Sequence, residues 1–180
     1  YVSPTLSTHV HATLGGRISA VLDGGACLHG VESTIVDLRD PAVPRILRPG
    51  PISADALEIE TADTMPTSSD GGAQAAPGML TQHYSPNAAI TLFEHGTQPE
   101  AARPGDALLY NTKPQGNKLG ADIYWLSESG APKDVAHNLF MLIQKLDNAG
   151  YTQLFVERAL ERGIGIAVND RLRRAAAKRT

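Results

Sequence analysis

Residues 132–149 place Val135, Leu139, Leu142, Ile143 and Leu146 on one helical face, open with Pro132 and stop at Gly150. Short apolar runs at 123–126 and 154–157 lie on either side. Strand, amphipathic helix, strand is a βαβ unit, which commits the chain to an α/β fold with parallel strands and a right-handed crossover. Two more apolar runs, 89–93 and 107–110, are bounded by Pro, Gly, Asn or Asp and read as further strands of a covered sheet. A last helix from about Ile164 carries Val168 and Leu172 on one face. It ends among Arg171, Arg173, Arg174, Lys178 and Arg179, basic residues that complement a helix C-terminus.

The first 55 residues read differently. Ser3 can cap a helix, Pro4 suits its first position, and Leu6, Val10 and Leu14 recur on one face until Gly15-Gly16 ends it. Strands are expected at 18–22, 33–38 and 43–47, the last fenced by Pro41, Pro49 and Pro51. One helix and three short strands bury too little surface to stand as a domain, so the rest of that domain is expected upstream of Tyr1. Residues 56–86 contain no Lys or Arg and a run of small residues, including Ser68-Ser69-Asp70-Gly71-Gly72, which reads as an extended linker.

Composition narrows the function classes. The 180 residues suffice for one generous domain or two small ones, and a net charge of -3 gives no reason to expect broad nucleic-acid or membrane binding. No apolar run is long enough to span a bilayer, and no signal-peptide pattern is present. A single cysteine, Cys27, excludes an internal disulfide framework and a Cys-rich zinc site, and fits a reducing cytoplasm.

Three segments carry chemistry. In Gly30-Val31-Glu32-Ser33-Thr34-Ile35-Val36-Asp37, hydroxyls at a strand entrance either bind a substrate carboxylate or amine or satisfy the local backbone. In Ile46-Leu47-Arg48-Pro49-Gly50, an Arg on a rigid strand-to-turn mount can fork onto phosphate or carboxylate, or pair with a nearby acid. Pro77-Gly78-Met79 and His83-Tyr84-Ser85-Pro86 end the linker with hydrogen-bonding and aromatic side chains, as a lid or as a docking point would. Other patterns fall short: His9 and His11 face apart on a helix, and Gly163-Ile164-Gly165 lacks the third glycine of a dinucleotide fingerprint and follows no strand directly. No P-loop is present, and no nucleophile is paired with a His base at readable spacing.

In this order, Ser3-Pro4-Thr5, Gly16-Arg17-Ile18, Leu22-Asp23-Gly24-Gly25, Gly30 to Asp37, Ile46 to Gly50, Pro77-Gly78-Met79 and His83-Tyr84-Ser85-Pro86 resemble two-domain L-threonylcarbamoyladenylate synthases. Leu139-Phe140, Leu146-Asp147, Val156-Glu157, Gly163-Ile164-Gly165 and Asn169-Asp170-Arg171-Leu172 extend the resemblance over nearly the whole chain. It implies the C-terminal part of a YrdC-type α/β catalytic domain in residues 1–55, an interdomain linker or lid in 56–86, and a Rossmann-like, mostly parallel sheet flanked by helices in 87–180. The family's Lys/Arg-rich motif and Ser-x-Asn segment are not found, so Tyr1 is read as following a cut, and the chain alone is expected to be inactive.

The resemblance also implies a reaction: L-threonine, bicarbonate and ATP yield threonylcarbamoyl-AMP and pyrophosphate in the cytoplasm, with Mg²⁺ accompanying ATP. The product serves tRNA threonylcarbamoyladenosine modification, making the tRNA-modification machinery an indirect partner. Ser33 is expected to hold threonine, Arg48 to contact phosphate or carboxylate, Thr34 to assist, and His83 and Tyr84 to lie on a lid that excludes water. No residue is assigned as a catalytic group or a metal ligand. Two other readings stay open: a stand-alone Rossmann-like regulatory or binding module, and RNA binding through the basic last helix.

Overall fold

The structure is a computed structural model, and residues 3–59, 86–115 and 120–177 are described. Four parallel strands dominate: β3 (Ala89–Phe93), β4 (Ala107–Thr112), β5 (Asp122–Ser127) and β6 (Gln153–Glu157), in spatial order β3-β6-β4-β5. Helix α2 (Pro132–Asn148) carries the chain from β5 to β6, and α3 (Ile164–Ala176) follows β6. The sequence-predicted βαβ unit is therefore present, with boundaries within two residues of those read from periodicity.

Helix α2 forms for the reasons its sequence gives. Pro132 opens it, Asp134 in the first turn and Lys145 in the last complement its dipole, and Val135, Ala136, Leu139, Phe140, Ile143 and Leu146 are buried along one face. They meet Leu109, Leu154 and Val156 from the sheet and Val168 and Leu172 from α3 in one core. Full burial of each large aliphatic or aromatic side chain contributes about 1.5–3 kcal/mol. Strand alternation sends Leu108, Tyr110 and Phe155 to the opposite face, where Phe93, Ala102 and Ala121 close a second, smaller core.

Polar side chains fix the sheet to the helices. The Asp147 carboxylate at the end of α2 accepts the backbone N–H of Ala88 at 2.8 Å and two N–H groups of Asn87 at 3.2 Å, setting where β3 begins. Asn169 in α3 is 1% exposed; its amide accepts Ala159 N–H and donates to Ala159 C=O, both at 2.8 Å. That pair pins the loop leaving β6 against the helix.

The N-terminal segment holds α1 (Ser7–Leu14) and an antiparallel pair, β1 (Ile35–Asp37) with β2 (Arg45–Arg48), bulged between Ile35 and Val36. Three expectations are corrected. Ser3 does not cap α1, because its hydroxyl donates to Glu32; Leu6 occupies the cap position and the Thr5 N–H reaches His9 Nδ1 instead. The apolar face of α1 is not buried: no residue of this helix lies in the core. Residues 18–22 form no strand. Ile18 is 41% and Leu22 98% exposed, and an apolar run without a pairing edge or a covering layer gains nothing from extending.

Candidate functional site

Ser33 and Arg48, singled out independently in the sequence, are neighbours in space. Arg48 closes β2 and Ser33 precedes β1, so pairing of the two strands carries them together, with Ile35 opposite Arg48. The Arg48 guanidinium donates through Nε to the Ser33 carbonyl at 3.2 Å and through Nη2 to Ser33 Oγ at 3.3 Å. Arg48 is 8% exposed, while Ser33 is exposed. A buried cation so fixed beside an open hydroxyl makes a preorganised corner for an anionic group.

Thr34 plays another part. Its hydroxyl donates to the Ile52 carbonyl at 2.7 Å and accepts the Ile52 N–H at 3.2 Å, hooking the segment after β2 onto the entrance of β1. The backbone reading of this hydroxyl, left open by the sequence, fits these contacts. Gly50 belongs to the same contact: a Cβ there would strike the Thr34 nitrogen, so only glycine lets the two segments lie so close. His83 and Tyr84 lie outside the described residues.

On its other side, the Ser33 segment rests on the helices of the parallel sheet. Gly30, with φ 66°, lies so close to α2 that a Cβ would run into the Ala136 and His137 carbonyl oxygens. The Leu28 carbonyl lies 3.1 Å from His137 Nδ1, and Val31 packs against the core. Glu32 meets Arg171 of α3, whose Nε donates to Glu32 Oε2 at 2.8 Å. Burial by itself raises the Glu32 pKa, but hydrogen bonds from Ser3 and Arg171 and the guanidinium charge outweigh it, holding the carboxyl below its ordinary value.

Arg171 is fully buried, and Glu32 and Arg171 are the functional candidates that sequence reasoning did not single out. A signal existed: residue 171 lies three positions after Val168 and four before Ala175, on the face that carries the core, yet it is charged. The other arginines of α3 are paired as well. Arg174 bonds Asp170 at 3.0 Å and Arg173 bonds Glu161 at 3.1 Å, which removes much of the basic face that suggested RNA.

A second concavity lies at the carboxyl ends of the strands, where open parallel sheets commonly bind ligands. His95, Asn111, Leu160 and Arg162 line it, with an empty volume of about 430 Å³ including its mouth. Glu157 is 4% exposed beneath it and accepts Gly96 N–H and Asn111 N–H, each at 2.7 Å. Gly163 and Gly165 open α3 after a five-residue loop from β6, and a Cβ at Gly165 would strike the Leu160 carbonyl. Packing accounts for that glycine without a dinucleotide. Among the described residues, no group of three His, Cys, Asp or Glu side chains is placed to hold a metal ion, and no helix is long and apolar enough to cross a membrane.

Comparison with known proteins gives the family and the fold. A family model described as the C-terminal domain of threonylcarbamoyl-AMP synthase matches residues 52–177. The chain is similar to the threonylcarbamoyl-AMP synthases of Pyrococcus abyssi (30% identical over 190 residues; 98% of this chain, 55% of that protein) and Schizosaccharomyces pombe (34% over 204 residues; 97% and 49%). It spans about half the length of these curated relatives. Among solved structures, the crystal structure of P. abyssi Sua5 complexed with L-threonine superposes with a TM-score of 0.76 at 26% identity, covering 97% of this chain and 54% of that one. A variant of the same protein gives 0.75. With the matched model spanning the whole four-stranded sheet and both its helices, the chain belongs to the threonylcarbamoyl-AMP synthase C-terminal domain family.

Proposed function

We propose that this chain is the C-terminal part of a two-domain enzyme that makes threonylcarbamoyl-AMP from L-threonine, bicarbonate and ATP. In this reading residues 30–52 form one wall of the substrate site. The observation that carries it is the Ser33–Arg48 pair, a buried guanidinium locked beside an exposed hydroxyl. The similar structure complexed with L-threonine supports threonine as the amino acid.

The chemistry suits such a wall. A carbamate, formed from the threonine amine and bicarbonate with loss of one water, attacks the α-phosphorus of ATP; the new P–O bond forms as the bond to pyrophosphate breaks. No protein nucleophile is needed, only positioning, positive charge near the phosphates and exclusion of water. Ser33 orients threonine by a hydrogen bond, and Arg48 neutralises its carboxylate or a phosphate. Thr34 holds the 50–52 segment in place through Ile52. The lid role of His83 and Tyr84 belongs to the same proposal. Mg²⁺ would accompany ATP; among the described residues no group of three His, Cys, Asp or Glu side chains is placed to hold it. The product then passes to tRNA threonylcarbamoyladenosine formation in the cytoplasm.

The test is threonine- and bicarbonate-dependent release of pyrophosphate from ATP by the full-length protein. Ser33→Ala and Arg48→Ala each remove a hydrogen bond to a charged group, worth about 1.5–3 kcal/mol, so activity falls by about 10- to 100-fold. Parent-like activity in both variants overturns the assignment. Pyrophosphate release by the parent that needs no threonine overturns the reaction.

A further inference from the structure

We infer that Arg171 is a positioning residue for the substrate segment: α3 grips Glu32, and through it fixes the backbone that presents Ser33 to Arg48. The inference rests on the substrate-site reading of Ser33 and Arg48. It gives the second domain a part in the chemistry of the first.

Glu32 belongs to a buried cluster of charges. Asp170 is 3% exposed and is shared by two guanidiniums, Arg171 at 2.7 Å and Arg174 at 3.0 Å. Glu32 brings a second carboxylate to this cluster, on the Nε side of Arg171 at 2.8 Å. Arg171 takes Asp170 from its own helix at 2.7 Å and, with its Nε, also reaches Glu32, 139 positions earlier in the chain, at 2.8 Å.

The geometry then transmits that grip over one residue. Glu32 is held by Arg171 on one oxygen and by the Ser3 hydroxyl on the other. Gly30 and Leu28 lie on α2 just before it, and Ser33 just after it is clasped by Arg48. Gln144 of α2 donates to the Ser3 carbonyl at 3.2 Å, so the second partner of Glu32 is tied to the same unit. Ser33 therefore stands between two clamps, one from β2 and one from α2 and α3. Releasing the second leaves Ser33 anchored on one side only, and the hydroxyl no longer keeps a fixed direction toward its ligand.

The experiment measures threonine KM and kcat in the full-length enzyme for Glu32→Gln, Arg171→Met, Arg171→Lys and Arg174→Met, with equilibrium unfolding of each. Glu32→Gln, at a partly exposed position, keeps the folded protein available even where Arg171→Met does not. Glu32→Gln is expected to raise the threonine KM about tenfold with kcat within about twofold, the size of one lost charge-assisted hydrogen bond. Arg171→Met is expected to raise KM at least as much, and Arg171→Lys, which keeps a cation opposite Glu32, to raise it less than Arg171→Met. Arg174→Met disturbs the same buried charge cluster without touching Glu32 and leaves KM unchanged. Parent-like KM in Glu32→Gln, or a KM rise in Arg174→Met equal to its own, overturns the inference. Because Ser33→Ala and Arg48→Ala are assayed alongside, loss of threonine dependence in those two but not in Glu32→Gln refutes positioning alone. No effect in any of them refutes the substrate site itself.

Discussion

Gly30→Ala is the sharpest perturbation of the docking between the two parts of the chain. At φ 66° an alanine costs about 1–2 kcal/mol from backbone strain alone. Its Cβ would also meet two backbone carbonyls of α2, at Ala136 and His137. Neither can rotate away, so the segment must lift off the helix. Lifting it loosens the contact of Leu28 with His137, worth about 1 kcal/mol, and the Glu32–Arg171 pair, worth about 1.5–3 kcal/mol. The total expected loss is about 3.5–6 kcal/mol.

Gly150→Ala isolates the strain from the contact. Gly150 has φ 90° and an added Cβ there meets nothing within 4 Å. It should lose only about 1–2 kcal/mol. Both variants are compared by urea unfolding of the chain, followed through the fluorescence of Trp125, its one tryptophan. A Gly30→Ala loss no larger than that of Gly150→Ala would refute close docking of the Ser33 segment on α2.

Two further outcomes follow from the same contacts. Glu32 has a folded-state pKa below its ordinary value, so its stabilisation is complete above the unfolded carboxylate pKa and is lost as pH falls through the depressed one. A pH series of unfolding midpoints should therefore fall less steeply on the acid side for Glu32→Gln than for the parent, and identical slopes would contradict the pairing. Asn169→Ala leaves both backbone groups of Ala159 without their partner and opens a small void in a buried site, which costs about 2–3 kcal/mol in denaturant unfolding. A change below about 0.5 kcal/mol would show that the loop is held by other contacts.

The C-terminal half was legible because its signals are local. The spacing of Val135, Leu139, Ile143 and Leu146 depends only on helical geometry, and Pro132 and Gly150 mark the ends without help from elsewhere. Runs such as 107–110 and 154–157 must be covered on both faces, and the core does cover Leu108 and Leu109, Phe155 and Val156 from opposite sides. The strand expected at 18–22 failed for the converse reason. A strand exists only through its partner, and periodicity in one segment cannot name an edge on another.

The candidate site divides along the same line. Sequence alone determined that Ser33 enters a strand, that Arg48 leaves one on a rigid turn, and that a parallel α/β unit follows, because each depends on neighbours along the chain. Only the tertiary structure decided that Arg48 clasps Ser33, that Thr34 is engaged with Ile52, and that Arg171 reaches across to Glu32. Those contacts bring together groups 15, 18 and 139 residues apart. Their identity rests on which distant carboxylate a buried guanidinium reaches and which backbone can approach a helix without a Cβ. Neither quantity exists until the chain is folded.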